Sequence, residues 1–257
     1  MTDTDADDFH YPAALYELVH RGTAGDLSFY ARSCRGARRV LELGCGYGRV
    51  LAALQDEPGL ELCGLDRDSE LLARARNRLP ESVELVPGDM CNFDLDGRRF
   101  DRILIPHSGL YCLPDDAACV SCFAACCRHL APGGQLVFDA YAADLFHLEA
   151  DPADHDDLHL EPLITVESDG TCYDVFERSL WNRPSQRVDV SYEYIPRGGG
   201  EAALGRLRHR YLLLDQIEAL LQRAGLRLLS LAGDWQGQPA DPQGDMWVAT
   251  AAATGSP

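Results

Sequence analysis

An acidic side chain followed by three glycines at alternate positions forms the stretch with the clearest chemical potential. Glu42 precedes Gly44, Gly46 and Gly48, and an apolar helical pattern follows at 50–54. Because glycine has no Cβ, the backbone can adopt positive φ there and a ligand can approach it closely. The start of the following helix adds N–H groups that have no partner within the helix. Strand, glycine turn and helix in this order predict a nucleotide-binding turn.

The spacing of the glycines separates two kinds of nucleotide turn. Dinucleotide-binding turns carry G-x-G-x-x-G and place a pyrophosphate at the start of the helix. In this chain the third glycine comes one position earlier, which gives G-x-G-x-G. A glycine-rich turn that binds nothing is the plainer alternative, and the residues that follow the next strands argue against it.

Three further polar residues come at the ends of predicted strands. Asp66 ends the second apolar run, and its carboxylate can accept hydrogen bonds from two ribose hydroxyls. The plainer alternative is that Asp66 or Asp68 only caps the helix after it. Asp89 follows the third run and His107 follows the fourth. Since the carboxyl ends of parallel strands meet at one edge of a sheet, we expect these side chains beside the glycine turn.

The elements that must position these residues alternate between strand and helix. Strands are predicted at 40–43, 61–66, 83–86, 100–105 and 135–140, and helices at 50–54, 70–78 and 114–130. This alternation predicts a parallel sheet with right-handed crossovers. A helix at 215–224 and strands at 226–232 and 246–252 close the chain. Two short helices precede the first strand, and Asp26 is the predicted cap of the second, at 27–34.

The pattern changes to a period of two between residues 162 and 214. This period predicts antiparallel strands at 171–181, 187–195 and 205–213. Residues 150–161 are acidic and rich in turn formers, which predicts a mobile loop. Their mixture of Asp and His could mimic a metal site, but it lacks the fixed spacing of one.

Charge and composition restrict the possible partners. The chain has a formal net charge of −18, with 23 arginines and no lysine. The absence of lysine excludes Schiff-base chemistry, and the strong acidity disfavours nucleic acid. Arg206, Arg208 and Arg210 alternate, which predicts a solvated strand face rather than a nucleic-acid patch. No run of about 18 apolar residues predicts a membrane span, and the acidic start lacks the features of a secretion signal. We therefore expect a cytoplasmic protein.

Ten cysteines are present, and the cytoplasm would keep them reduced. Cys119 and Cys122 have the spacing of half a zinc site, but no second pair at metal spacing accompanies them. Cys119, Cys122, Phe123, Cys126 and Leu130 fall on one face of a helix. We interpret this face as apolar packing and expect no metal.

The stretch Glu42-Leu43-Gly44-Cys45-Gly46-Tyr47-Gly48 resembles the motif E/D-x-G-x-G-x-G of class I S-adenosyl-L-methionine (SAM) dependent methyltransferases. The segment L-x-P-G-G-x-L-V-F at 130–138 is a second feature of that family. The resemblance implies an α/β fold with a Rossmann-like seven-stranded sheet, its last strand antiparallel, and an antiparallel β insertion after the fifth strand. The implied parts are a helical cap at 1–35, a core at 36–149 and 214–257, and a substrate lid at 150–213.

The same resemblance implies SAM as the cofactor and S-adenosylhomocysteine as the product. It assigns Asp89 to the adenine amino group and Met90 to a cover over the adenine ring. The residues that we assign to the cofactor are Tyr16, Arg21, Glu42, Gly44, Cys45, Gly46, Asp66, Arg67, Asp89, Met90 and Pro106.

The segment 16–22 with Asp26 resembles the pattern Y-D-x-x-Y-x-G…D of small-molecule N-methyltransferases, notably amino-sugar N,N-dimethyltransferases. By this resemblance Tyr16 folds over the cofactor and takes part in catalysis. His20 stands where the pattern has its second tyrosine. By analogy with glycine N-methyltransferase-like enzymes, Arg21 meets the carboxylate of SAM as a charged fork.

Methyl transfer is an in-line displacement, in which the acceptor atom lies about 3 Å from the methyl carbon. A protonated amine must first lose a proton, and histidine titrates in a suitable range. His107 is therefore the first candidate for a general base; the alternative is that it only shapes the pocket. The candidate substrate contacts are His20, Tyr111, Tyr141, Trp181, Tyr192 and Arg210.

We expect a methyltransferase that acts on a small molecule, with an amine as the acceptor. Methylation of a carboxylate or hydroxyl oxygen is the alternative. Two alternative hypotheses come from other classes of protein: a SAM-binding partner protein without catalysis, and an aminopropyltransferase. An arsenite methyltransferase is the least favoured alternative. The turn after the fourth strand lacks the N-P-P-Y and Pro-Cys sequences of nucleic-acid methylation. We expect neither nucleic acid nor a membrane as a partner, and a homodimer stays open.

Overall fold

The structure is a computed structural model, and it describes residues 9–149, 156–158 and 162–255. The predicted loop at 150–161 lies outside these residues except for 156–158, which form a short strand, so the loop prediction was wrong there. The helices are α1 Ala13–Val19, α2 Asp26–Ser33, α3 Arg49–Leu54, α4 Ser69–Arg78, α5 Asp116–His129, α6 Asp144–Glu149 and α7 Leu214–Arg223. No helix in this part of the chain is both long enough and apolar enough to cross a membrane.

Where strands were predicted, most of their bounds agree with the structure within two residues. They are β1 Arg39–Leu43, β2 Glu61–Asp66, β3 Glu84–Pro87, β4 Phe100–Ile105, β5 Leu130–Tyr141, β6 Asp156–Leu158, β7 Ile164–Ser168, β8 Thr171–Asn182, β9 Arg187–Pro196, β10 Ala203–Arg210, β11 Leu226–Ala232 and β12 Met246–Ala253. Two units share these elements, a larger one at 22–144 and 212–255 and a smaller one at 9–21 and 145–211. Helix α2 thus belongs to the larger unit.

The larger unit contains a seven-stranded sheet in the order β11-β12-β5-β4-β1-β2-β3. Strands β1 to β5 are parallel, and β12 runs antiparallel to both of its neighbours. Strands β1 and β2 are buried at every residue after the first, because helices cover both faces of a parallel sheet. This fold confirms the expected α/β sheet, including its antiparallel last strand.

The cysteine-bearing face of α5 packs into the core of the larger unit. Cys119, Cys122, Phe123 and Cys126 are buried, as the spacing predicted for apolar packing. Within the described residues, no group of three or more His, Cys, Asp or Glu side chains is arranged to hold a metal ion.

The smaller unit contains an antiparallel sheet in the order β10-β9-β8-β6, with β7 paired to one half of β8. Strand β7 was not predicted, although Asp169-Gly170 connects it to β8. Both residues have positive φ, and Asp-Gly between two strands is a strong hairpin signal. The predicted strand at 205–213 ends at Arg210, and Tyr211 and Leu212 are buried beyond it. Helix α6 was also not predicted.

We predict that His129→Phe lowers the free energy of unfolding by about 1–3 kcal/mol, because it leaves a buried N–H unsatisfied. His129 Nε2 accepts a hydrogen bond from the Leu95 N–H at 3.1 Å, and its Nδ1 lies 2.9 Å from the Ala125 carbonyl oxygen. Urea unfolding followed by circular dichroism measures the change. The exposed neighbour Arg128→Ala is the control, and equal midpoints for the two variants would contradict the structural role of the ring.

Candidate active site

The glycine turn adopts a left-handed backbone, which glycine favours, at three positions. Gly44, Gly46 and Gly48 have φ of 65°, 53° and 79°. A Cβ on Gly48 would lie 2.7 Å from a methyl carbon of Leu79, whereas a Cβ on Gly46 would meet nothing within 4 Å. Gly48 is therefore required by both its φ and its packing. Gly46 leaves open space on the side where a ligand would approach.

Asp66 anchors the glycine turn to the end of β2. Its Oδ2 accepts a hydrogen bond from the Gly46 N–H at 2.7 Å, and its Oδ1 accepts one from the Asp68 N–H at 2.8 Å. Asp68, not Asp66, caps α4, because its carboxylate accepts from the N–H groups of Glu70 and Leu71. Burial raises the pKa of Asp66, and the two backbone donors oppose that shift. A carboxylate has about four acceptor sites, so two stay available for hydroxyl groups.

Glu42 is buried at the end of β1, with 2% of its surface exposed. Burial raises the pKa of its carboxyl group to about 8, although the positive charge of Arg49 acts in the opposite direction. Its Oε2 has no hydrogen-bond partner among the described residues. A buried acceptor of this kind is costly, and a cationic donor from a ligand would satisfy it.

Arg49 and Asp26 form a buried ion pair that the sequence did not reveal. Arg49 Nη2 lies 2.7 Å from Asp26 Oδ2, and the Arg49 Nη1 has no hydrogen-bond partner within the described part of the chain. The prediction that Asp26 caps α2 was wrong. Gly25 occupies the cap position in the left-handed region, and Asp26 is the first helical residue. Its carboxylate points instead to the guanidinium that begins α3.

His107 follows β4 in a turn where it and Ser108 both have positive φ, 56° and 57°. Burial lowers the pKa of the His107 imidazole, and the nearby positive charge of Arg49 lowers it further, while Asp26 opposes the shift. The imidazole is therefore neutral at pH 7. The electrostatic effect of Arg49 also means that His107 and the start of α3 share one environment.

The larger unit also contains the other cofactor candidates, and Met90 is the one that contacts the glycine turn. The terminal methyl of Met90 would lie 3.2 Å from a Cβ on Gly44, so this side chain rests against the turn. Asp89 is exposed, and its Oδ1 accepts a hydrogen bond from the Cys91 N–H at 2.8 Å. Cys45 and Pro106 are buried and Arg67 is exposed. The assignment of these residues to the cofactor stays a prediction.

Aromatic rings cluster in the smaller unit, where three of the predicted site residues meet. Tyr16 stacks on His20 with 4.2 Å between ring centroids, and His20 presents an edge to Tyr192 at 5.1 Å. Tyr11, which the sequence analysis did not single out, stacks on Tyr192 at 5.4 Å. Its hydroxyl lies 2.7 Å from that of the buried Tyr194. Burial raises the pKa of Tyr11 and Tyr192, so these phenols stay protonated.

The smaller unit contains three further candidates, which are Trp181, Arg210 and Arg21. Trp181 stacks on the exposed ring of Phe146 at 4.9 Å with an interplanar angle of 13°. The Arg210 Nη2 donates to Gln186 Oε1 at 3.4 Å. Arg21 is exposed at the end of its segment. Their assignment to substrate or cofactor stays a prediction.

The structure corrects the assignment of Tyr111 to the substrate. Tyr111 is completely buried, and its hydroxyl donates to the carbonyl oxygens of Tyr141, at 2.9 Å, and Leu212, at 3.2 Å. A side chain whose surface and donor are both used inside the fold has nothing left for a ligand. Tyr141 is half-buried and presents its ring to Tyr111 at 4.8 Å.

Comparison with known proteins shows what this chain is similar to. Residues 40–134 match the methyltransferase domain family. No curated protein matches the chain at a significant level. Among solved structures, the methyltransferase CcbJ from Streptomyces caelestis has a TM-score of 0.75 and 24% identity, with 89% of each chain covered.

Two other solved structures have similar coverage. CalS10 from Micromonospora echinaspora, an amino pentose methyltransferase of calicheamicin biosynthesis whose structure contains SAM, has 25% identity and a TM-score of 0.64, covering 92% of this chain and 94% of its own. The sugar N-methyltransferase KedS8 from Streptoalloteichus sp. has 23% identity and a TM-score of 0.69, covering 97% and 96%. At these identities, CcbJ and KedS8 establish the fold alone.

We predict that Asp66→Ala weakens binding of S-adenosylhomocysteine about 10- to 100-fold, because it removes a charged acceptor and frees the Gly46 N–H. Isothermal titration calorimetry measures the affinity. Asp68→Ala is the matched control, since it removes only the cap of α4 and costs about 0.5–2 kcal/mol of stability. Equal affinities for Asp66→Ala and the unmodified protein would contradict the assignment.

We also predict that the affinity for S-adenosylhomocysteine rises between pH 6.5 and pH 8. Glu42 is mostly protonated at pH 7 because its pKa is about 8. An ammonium group bound beside it favours the ionised form, so binding releases a proton and is favoured at higher pH. Calorimetry in buffers of different ionisation enthalpy measures the proton release. Glu42→Gln should abolish both the release and this pH dependence, and an unchanged release in that variant would exclude Glu42 as its source.

Proposed function

We propose that this protein, an S-adenosyl-L-methionine-dependent methyltransferase of class I fold, methylates the nitrogen of a small-molecule amine. The observation that carries the proposal is the half-buried imidazole of His107 in the turn after β4, whose pKa is lowered by burial and by the positive charge of Arg49. A protonated amine needs a base with a pKa near neutrality to become a nucleophile. A carboxylate acceptor needs no base, so a histidine base favours an amine over a carboxylate.

The residues of the larger unit fit the cofactor. The unpartnered Glu42 Oε2 suits an ammonium group, and the Arg49 Nη1, also without a partner among the described residues, suits a carboxylate. Asp66 keeps acceptor sites for ribose hydroxyls, and the space above Gly46 admits a ligand. When bound, the cofactor supplies a methyl group on a positively charged sulfur. His107 would take the proton of the acceptor, and the buried surroundings would exclude water.

The solved relatives support an amine as the acceptor. CalS10 acts on an amino pentose, and KedS8 is a sugar N-methyltransferase. The aromatic cluster of Tyr16, His20 and Tyr192 belongs to the same proposal. We propose 1–35 as a cap and 150–213 as a substrate lid, with these three residues as the aromatic side chains that the two segments contribute. Aromatic faces also attract cations, which suits an amine before it loses its proton.

Exposure of the purified protein to methyl-labelled SAM and two acceptor pools tests the acceptor. One pool contains amino acids, amines and amino sugars, and the other contains phenols, alcohols and carboxylic acids. We expect label on nitrogen in the first pool by mass spectrometry. Label only in the second pool would show an oxygen acceptor. Binding of S-adenosylhomocysteine without label in either pool would favour a partner protein without catalysis, and a preference for decarboxylated SAM would indicate aminopropyl transfer.

We predict that His107→Gln lowers kcat at pH 7 about 100-fold, since it removes the base and keeps a polar side chain of similar reach. In the unmodified enzyme, kcat should rise with pH as the imidazole loses its proton, at a pKa below the usual 6.5. This rise should be absent from the pH profile of His107→Gln. Full turnover of that variant at every pH would exclude His107 as the base.

A further inference from the structure

We infer that Tyr30 and Asp139 hold the turn that carries His107, and that Asp139 is a positioning residue for the base. This inference rests on the proposed role of His107. Neither of these two side chains has a role in the glycine turn or in the proposed binding of the acceptor. We call Tyr30, Asp139 and the backbone of His107 the brace.

Two donors converge on one oxygen of Asp139. The Tyr30 hydroxyl, on α2, donates to Oδ1, and the His107 N–H donates to the same atom at 2.9 Å. The backbone of Asp139 also takes part, because its carbonyl oxygen accepts from the Ser108 N–H at 3.2 Å. One residue of β5 thus binds both residues of the turn after β4.

The turn needs such support because two consecutive residues without glycine's freedom have left-handed backbones. His107 and Ser108 have φ of 56° and 57°. Each such residue costs of order 1–2 kcal/mol and persists only where its surroundings hold it. The Ser108 Oγ adds one further bond, accepting from the Tyr141 N–H at 3.2 Å. This backbone strain occurs at the candidate base and at the residue after it. It is consistent with a turn that fixes the direction of the His107 imidazole.

The burial of Asp139 indicates a role beyond the sheet. Strand β5 pairs with β4 and β12 through its backbone, so this position of the sheet does not need a carboxylate. Asp139 is 6% exposed, and burial raises its pKa to about 6, so it is ionised at pH 7. Burial of a charge is costly unless hydrogen bonds stabilise it. Tyr30 and the His107 N–H provide those bonds.

Helix α2 connects the brace to the charge that acts on His107. Asp26 and Tyr30 lie four residues apart, so both side chains project from the same face of α2. Asp26 pairs with Arg49 at the start of α3, and Tyr30 bonds Asp139. The helix therefore fixes the His107 backbone in relation to the guanidinium that lowers the pKa of its imidazole. A displaced turn would change the position of the base relative to the acceptor.

Asp139→Ala, Asp139→Asn and Tyr30→Phe test the inference by steady-state kinetics with the best labelled acceptor. We expect Asp139→Ala to lower kcat at least tenfold, because misplacement of a catalytic group costs rate rather than affinity. Its affinity for S-adenosylhomocysteine should stay within about twofold. Asp139→Asn should stay within about threefold of full kcat, since an amide oxygen still accepts from the His107 N–H.

The decisive measurement combines these variants with His107→Ala. If Asp139 acts through the imidazole, Asp139→Ala should change the rate of the His107→Ala enzyme less than about twofold. An equal loss of rate in both backgrounds would overturn the inference. Full turnover of both Asp139→Ala and Tyr30→Phe would also overturn it, whereas full turnover of His107→Ala alone would instead refute the proposed base.

Stability must be separated from positioning. Phe29→Leu is the control on the same helix, because it loosens the contact of α2 with Trp235 and leaves every hydrogen bond of the brace in place. It should lower the melting temperature and keep kcat. If Asp139→Ala does not fold, Tyr30→Phe decides, with an expected three- to tenfold loss of kcat that vanishes in the His107→Ala background; a loss that persists there counts against the inference.

Discussion

The hydrogen bond from the Gly46 N–H to the Asp66 carboxylate is the interaction on which the candidate site depends. It joins the turn after β1 to the end of β2, so the position of the turn is set by the register of two neighbouring strands. Strand β1 also pairs with β4, which carries His107 at its end. The parallel sheet thus determines the distances between residues far apart in sequence, and the glycines only permit the backbone that those distances require.

Buried charge is the second constraint, and each buried carboxylate is stabilised in a different way. Asp66 uses two backbone N–H groups, Asp139 uses a phenol and an N–H, and Asp26 uses a guanidinium. Glu42 lacks a complete set of partners in the described residues, and burial raises its pKa to about 8. A buried acceptor without a partner carries a desolvation cost. A ligand that donates a hydrogen bond to it removes this cost, which makes the free energy of binding more favourable.

The sequence predicted the sheet and the polar residues at the ends of its strands because both follow from local patterns. Apolar runs mark the buried strands, and polar residues at their ends mark Glu42, Asp66 and His107. Residues whose importance depends on distant partners were not predictable in this way. Asp26 has the sequence context of a helix cap, yet its partner is Arg49. Tyr111 has the context of an active-site aromatic, yet its hydroxyl serves the backbone at Leu212, about a hundred residues later in the chain. In contrast, β7 was missed although the local Asp169-Gly170 hairpin signal was available.

The buried cation, Arg49, is an arginine rather than a lysine. This difference affects the residues at the carboxyl ends of the parallel strands. A lysine ammonium loses its proton readily when it is buried, whereas a guanidinium keeps its charge. Burial acts to lower the pKa of Arg49, but the hydrogen bond to Asp26 and the charges of Asp26 and Glu42 together raise it. Its permanent charge favours ionised Glu42 on one side and neutral His107 on the other. One cation thus influences the protonation of both residues, and the ion pair with Asp26 keeps that cation in place.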